Sequence, residues 1–202
     1  IISLPAFMVS EGLSALKVSG FAGMIMLPWG LKVFVAPIMD RVTFISMGRR
    51  RPWVITGLVF ASLGYVAMGL ISDPLNHFTS FMIAGMVASA CTALMDVAVD
   101  GMAIEILPNK EQAQANGLMW GGKVFGTAIT AWASGLTFKQ VGISWTLYAA
   151  GFTTLMFALI PLLIREREGE KLLPWTEGAP PNRLYRINKL AGQILLQPSG
   201  ES

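Results

Sequence analysis

Charge, cysteine and histidine are all scarce in this sequence. Only 13% of its 202 residues are charged, about half the roughly 25% usual in soluble domains. A soluble fold with so few charges would struggle to cover its surface. That excludes an ordinary cytosolic enzyme, a soluble nucleic-acid binder and a disordered chain. The single cysteine, Cys91, excludes a disulfide scaffold and a thiolate zinc cluster, and the single histidine, His77, excludes a multi-histidine metal centre. No Walker A sequence, paired-histidine motif or Gly-x-Ser-x-Gly elbow occurs. The sequence therefore gives no sign of direct ATP use, of a cofactor or of an enzyme's nucleophile. The sequence opens Ile-Ile-Ser, with no initiator Met and no basic region ahead of an apolar core. Residues 1–9 are read as the end of a helix whose start is missing, not as a signal peptide.

What the sequence has instead is apolar length. Hydrophobic residues make up 53% of the chain, and the mean hydropathy is +0.58. Five long apolar segments, residues 18–39, 53–71, 78–107, 114–136 and 143–164, follow the short first one. Each is long enough to cross about 30 Å of hydrocarbon as a helix. Closed barrels need alternating ten-residue stretches, which these continuous runs are not. The predicted fold is an all-α integral membrane bundle, multi-pass, occupying residues 1–165, with the first of its six helices truncated.

The connectors orient the bundle. Arg41, Arg49, Arg50, Arg51, Lys110 and the basic residues after Ile164 fall on one side, eleven in all, against Lys17 and Lys139 on the other. The basic side is expected to be cytoplasmic. Residues 166–202 read as a cytoplasmic linker. Within it, Leu184, Ile187, Leu190, Ala191, Ile194 and Leu195 at helical spacing fit a short amphipathic helix on the inner leaflet, or else plain disordered linker.

Charges inside the spans are costly and so informative. Segments 53–71 and 143–164 have none and can face lipid. Lys32, Asp96, Asp100 and Lys123 lie within the other three, with few local partners on their own helices. Lys32 lies eight residues before Asp40, Asp100 eight before Pro108, and Lys123 nine after Gln114. At 1.5 Å per residue all three reach about 12–13 Å from the inner side. Gly85, Ser89, Thr92, Asp96 and Asp100 form one polar stripe, and Asn116, Trp120, Lys123, Thr127, Thr130 and Ser134 another. Lys32 and Lys123, with Trp120 on the same stripe, are candidate contacts for an anionic small solute. Asp96 and Asp100, four apart on one face, are candidates for carrying a coupling proton, Asp100 preferred because its depth matches the lysines. Mutual neutralisation of these charges is the competing explanation. Glycine pairs Gly117/Gly121 and Gly122/Gly126 predict close helix contacts. Pro28 and Gly30 are expected to interrupt and bend the first complete span.

The loop APIMDRVTFISMGRRRPW, residues 36–53, carries the most specific pattern. An acid–base pair ending one span, then Gly and an arginine run opening the next, resembles the major facilitator superfamily signature. Six residues separate Arg41 from Gly48 where about one is common, and Ala36 stands where Gly is usual. The stretched loop and MDVAVDGMAIEILPNKEQAQANG, residues 95–117, are similar to the muropeptide permease and acetyl-coenzyme A transporter branch. The resemblance implies the N-terminal half of a twelve-helix transporter in a bacterial inner membrane, partnered by a C-terminal six-helix half absent from this sequence. It also implies that the third and sixth helices are outermost, and that Asp40, Arg41, Gly48, Arg49 and Arg50 form a cytoplasmic gate. Lying at a helix end, the gate residues are expected to be solvated. The function expected is a secondary transporter, proton-coupled, for a polar or anionic solute such as a muropeptide-like compound. The alternative is a facilitator-fold protein with a non-transport role such as pigment-complex assembly.

Overall fold

The structure, a computed structural model, describes residues 3–42, 48–71 and 73–164. The linker and amphipathic segment expected after residue 165 lie outside the described residues. Among the described residues six helices follow one another: α1 (Leu4–Ser10), α2 (Ala15–Arg41), α3 (Arg51–Gly69), α4 (Phe78–Ile106), α5 (Asn109–Gln140) and α6 (Ile143–Leu163). No strand occurs among the described residues. Four helices, α2, α3, α4 and α6, are long and apolar enough to cross a membrane. α5 has 32 residues, ample length, but its polar stripe dilutes its apolarity.

Local chemistry sets the boundaries. Gly12, Gly48 and Gly142 all have φ between +82° and +98°, a region that residues with a Cβ avoid, and each lies between two helices. Pro52 sits in the first turn of α3, where its missing N–H costs nothing. Pro108 directly precedes α5 and ends α4. Asp73, exposed in the α3–α4 turn, accepts from the backbone N–H of Asn76, the Asn76 side chain and the Leu75 N–H. These bonds hold its carboxyl below the usual carboxylate range, the Asn76 backbone contributing most. α2 runs as one helix through Pro28 and Pro37. The expected interruption at Pro28 and Gly30 is therefore absent.

α3 lies between α4 and α6, and α4 also packs on α2. Phe21, Ile25, Met68, Phe81 and Leu147 form one buried cluster with Leu4 and Met8 of α1, and Met39, Val54 and Ala98 form a second. Close approach comes from α3. A Cβ on Gly64 would lie 2.8 Å from that of Ala88, and one on Gly57 2.8 Å from that of Met95. Ser62 donates to the carbonyl of Gly151 at 2.8 Å, tying α3 to α6. The glycine pairs predicted to pack, Gly117/Gly121 and Gly122/Gly126, have nothing within 4 Å among the described residues. Their spacing suits a packing seam, but all four positions are exposed. The charge-free helices do pair with each other. α3 buries its glycine face and leaves Phe60 and Leu63 exposed, as a lipid-facing side requires.

Candidate functional site

The charged residues of three helices meet in one cluster. Asp96 on α4 is shared: its Oδ1 lies 2.5 Å from Lys123 Nζ on α5, and its Oδ2 lies 3.4 Å from Lys32 Nζ on α2. Asp100, one turn along α4, lies 3.2 Å from the same Lys123. The Asp96 side chain is only 8% exposed, whereas Asp100 is 41% exposed. The lysines have no acid on their own helices, as expected, and find their partners on α4, the arrangement that mutual neutralisation calls for. No residue of α5 is buried. The bonds from Lys123 are thus a main tie between α5 and α4 at this depth. The four charges cancel when all are ionised, so an arriving anion must displace or neutralise a carboxylate to engage a lysine.

Each lysine also lies over its own tryptophan. Lys123 Nζ is 5.4 Å from the ring centre of Trp120, and Lys32 Nζ is 5.7 Å from that of Trp29. Sequence reasoning named Trp120 and missed Trp29. The signal was available, because Trp-Gly-x-Lys-Val-Phe occurs twice, at residues 29–34 and 120–125. Phe34 and Phe125, which end the two copies, are equally exposed. The polar stripe of α5 continues outward to Ser134, whose hydroxyl meets that of Ser3 at 2.5 Å. At the opposite end an open cleft of about 440 Å³ is lined by Asp100, Ile104, Gln112, Asn116 and Met119. It brings Asp100 within reach of water.

A second cluster forms where α2 and α4 end and α3 begins. Asp40 accepts from Arg49 at 3.1 Å and from Arg50 at 2.6 Å. Glu105, near the end of α4, lies 3.0 Å from Arg50 Nε and 3.5 Å from Arg49. Arg50 is 8% exposed on its side chain. It is not a solvated helix-end charge as expected, because Gly101 of α4 leaves the space that its guanidinium fills. Arg41 ends α2 exposed and joins none of these pairs. Gly48, at φ +98°, turns the chain into the arginine run. Arg51 goes elsewhere, donating to the carbonyls of Pro161 and Leu162 on α6.

Gly101 gives a direct prediction. A Cβ there would lie 2.9 Å from Arg50 Cζ, and that guanidinium is held by two carboxylates. Gly101→Ala should push that guanidinium off its carboxylates and lower the thermal midpoint of the purified protein by about 3 °C or more. An unchanged midpoint would show that Arg50 can shift without loss.

The matching family model decides what kind of protein carries these clusters. The model described as Major Facilitator Superfamily matches residues 1–197. The chain belongs to the major facilitator superfamily. It is also 25% identical over 162 residues to the anhydromuropeptide permease of Escherichia coli (strain K12), covering 80% of this chain and 32% of that protein. An uncharacterized protein of Haemophilus influenzae is 29% identical over 113 residues, 56% of this chain and 26% of that protein. The chain thus spans about a third or less of the length of these relatives. No solved structure gives a significant match. Superfamily membership and four apolar helices make this an integral membrane protein of a transporter family, as the loop of residues 36–53 implied.

Proposed function

We propose that this chain forms the N-terminal half of a proton-coupled secondary transporter for a polar or anionic solute, a muropeptide-like compound, in a bacterial cytoplasmic membrane. A second six-helix half completes it, and the two rock about a site near mid-depth. The observation that carries this reading is the cluster of Lys32, Asp96, Lys123 and Asp100. Four charges from three helices are placed where a bilayer penalises them, and in membrane helices such residues mark solute and proton paths. Trp29 and Trp120 add aromatic faces suited to an amphipathic solute. The Asp40, Arg49, Arg50 and Glu105 cluster acts as the cytoplasmic gate, breaking and remaking its pairs as the helix ends move. The residues around Arg49 and Lys110 face the cytoplasm, and His77 and Lys139 face outward.

Two experiments test this. The full-length protein in proteoliposomes should accumulate labelled anhydromuropeptide when an inwardly directed proton gradient is imposed. Folded protein that gives no uptake would end the transport reading. Cysteine labelling from a Cys91-free background should reach position 77 from outside intact cells. Strong external labelling at position 50 would reverse the orientation.

A further inference from the structure

The two copies of Trp-Gly-x-Lys-Val-Phe stand on α2 and α5, the middle helices of α1–α3 and α4–α6. Nested three-helix repeats are a recurrent plan in such transporters, but the plan alone does not say what a repeated hexapeptide does. In this chain both copies hold lysine over tryptophan three residues back, and both lysine side chains are about one-third exposed, at 37% and 35%. The copies then diverge in two ways.

The first difference is electrostatic. Lys123 has two carboxylates, at 2.5 and 3.2 Å, while the ion pair of Lys32 is a single longer one, 3.4 Å to Asp96. Asp96 leans toward Lys123. An incoming anion at Lys32 displaces one long ion pair; at Lys123 it must displace two, one of them short. The second difference is order. Trp29 donates its Nε1–H to Ser89 Oγ at 3.1 Å, and Ser89 donates to the carbonyl of Ile25 at 2.6 Å. Ser89 is buried, so the Trp29 ring is held in place before any solute arrives. Trp120 is 59% exposed. A fixed ring beside a weakly paired cation is a preorganised site.

We propose that the repeat divides its work: the Trp29–Lys32 copy binds a carboxylate of the solute together with an adjoining apolar face, and the Trp120–Lys123 copy holds the acid pair Asp96 and Asp100. This rests on the transporter reading above and refines it. Lys32 reads the carboxylate's charge, Trp29 stacks on the apolar face, and Ser89 is a positioning residue for Trp29.

The test is equilibrium binding to the purified full-length protein, comparing anhydromuropeptide with the same compound carrying carboxamides in place of its carboxylates. Wild type should prefer the carboxylate form by about tenfold or more, as expected for a charge-assisted contact. Lys32→Gln should bind both forms alike. Lys123→Gln should keep most of the preference and instead flatten the pH dependence of uptake. Ser89→Ala, a mild change should Lys32→Gln fold poorly, should weaken both forms together by about threefold without altering the preference. A preference that persists in Lys32→Gln, or that disappears in Lys123→Gln instead, overturns the assignment. So does a wild type that binds neither form or does not distinguish them. Binding without gradient-driven uptake would refute transport while the carboxylate preference still decides the subsite. Uptake of some other solute with no muropeptide binding would do the reverse.

Discussion

Asp100→Asn should abolish accumulation driven by a proton gradient while leaving solute exchange across the membrane intact. The expected fall in gradient-driven initial rate is about tenfold or more, with counterflow within about twofold of wild type. A coupling acid must reach water, and it must sense the solute. Asp100 borders the cleft of about 440 Å³, and its carboxylate is half exposed. On the proposed reading it senses the solute through Lys123, 3.2 Å away. When an anion takes Lys32, Asp96 is left to Lys123 alone, and Lys123 has less to offer Asp100. On the proposed reading, proton and anion then cross together. Asn mimics the protonated acid and cannot lose that proton, which separates exchange from coupling. Asp96→Asn should behave differently. It strips two lysines of their shared counter-ion, and removing one partner of a buried pair leaves an uncompensated charge. Lower yield and loss of both activities are expected there. If Asp100→Asn still accumulates solute under an imposed proton gradient, Asp100 is not the coupling site.

Much of this site was legible because bilayer depth converts directly into residue count. Counted from Asp40, Pro108 and Gln114, the sequence put Lys32, Asp100 and Lys123 at matching depth, although α5 begins at Asn109, ahead of Gln114, and periodicity put Asp96 on the face of Asp100. Periodicity assigns faces, however, not neighbours. Gly117, Gly121, Gly122 and Gly126 have the spacing of a packing seam yet stand open, while the close approaches fall at Gly57 and Gly64, on a helix read only as charge-free. Trp29 escaped because a tryptophan beside Pro28 reads as local helix chemistry until the second copy of its hexapeptide is set beside it. The arginine run was legible as a charge block and illegible as three separate roles. Only Arg51 lies in α3; Arg50 is its N-cap and Arg49 precedes it, so the three leave the chain in different backbone settings. Arg49 stays half-exposed, Arg50 fills the space beside Gly101, and Arg51 turns to α6.

That fan of arginines sets the largest expected effect on folding, at Arg51. It is 1% exposed, and its guanidinium donates to the carbonyls of Pro161 and, at 2.9 Å, Leu162. α6 ends at Leu163, so both carbonyls belong to the last turn, whose acceptors have no intrahelical donor. A cation there also meets the negative end of the helix dipole. Arg51→Ala removes the charge, leaves buried carbonyls short of donors and opens a void between α3 and α6. Each unsatisfied buried group costs about 1–3 kcal/mol, so a total loss of about 3 kcal/mol or more is expected. Arg51→Lys should recover part of it, since one ammonium restores charge but not the two-pronged geometry. Thermal unfolding of the full-length protein in detergent is the measurement, with Asp100→Asn as the comparison. Arg51→Ala should melt well below both wild type and Asp100→Asn and give less monodisperse protein. Should Arg51→Ala melt with the wild type, the α3–α6 contact is held by Ser62, Gly151 and their apolar neighbours, and the arginine is dispensable to the fold.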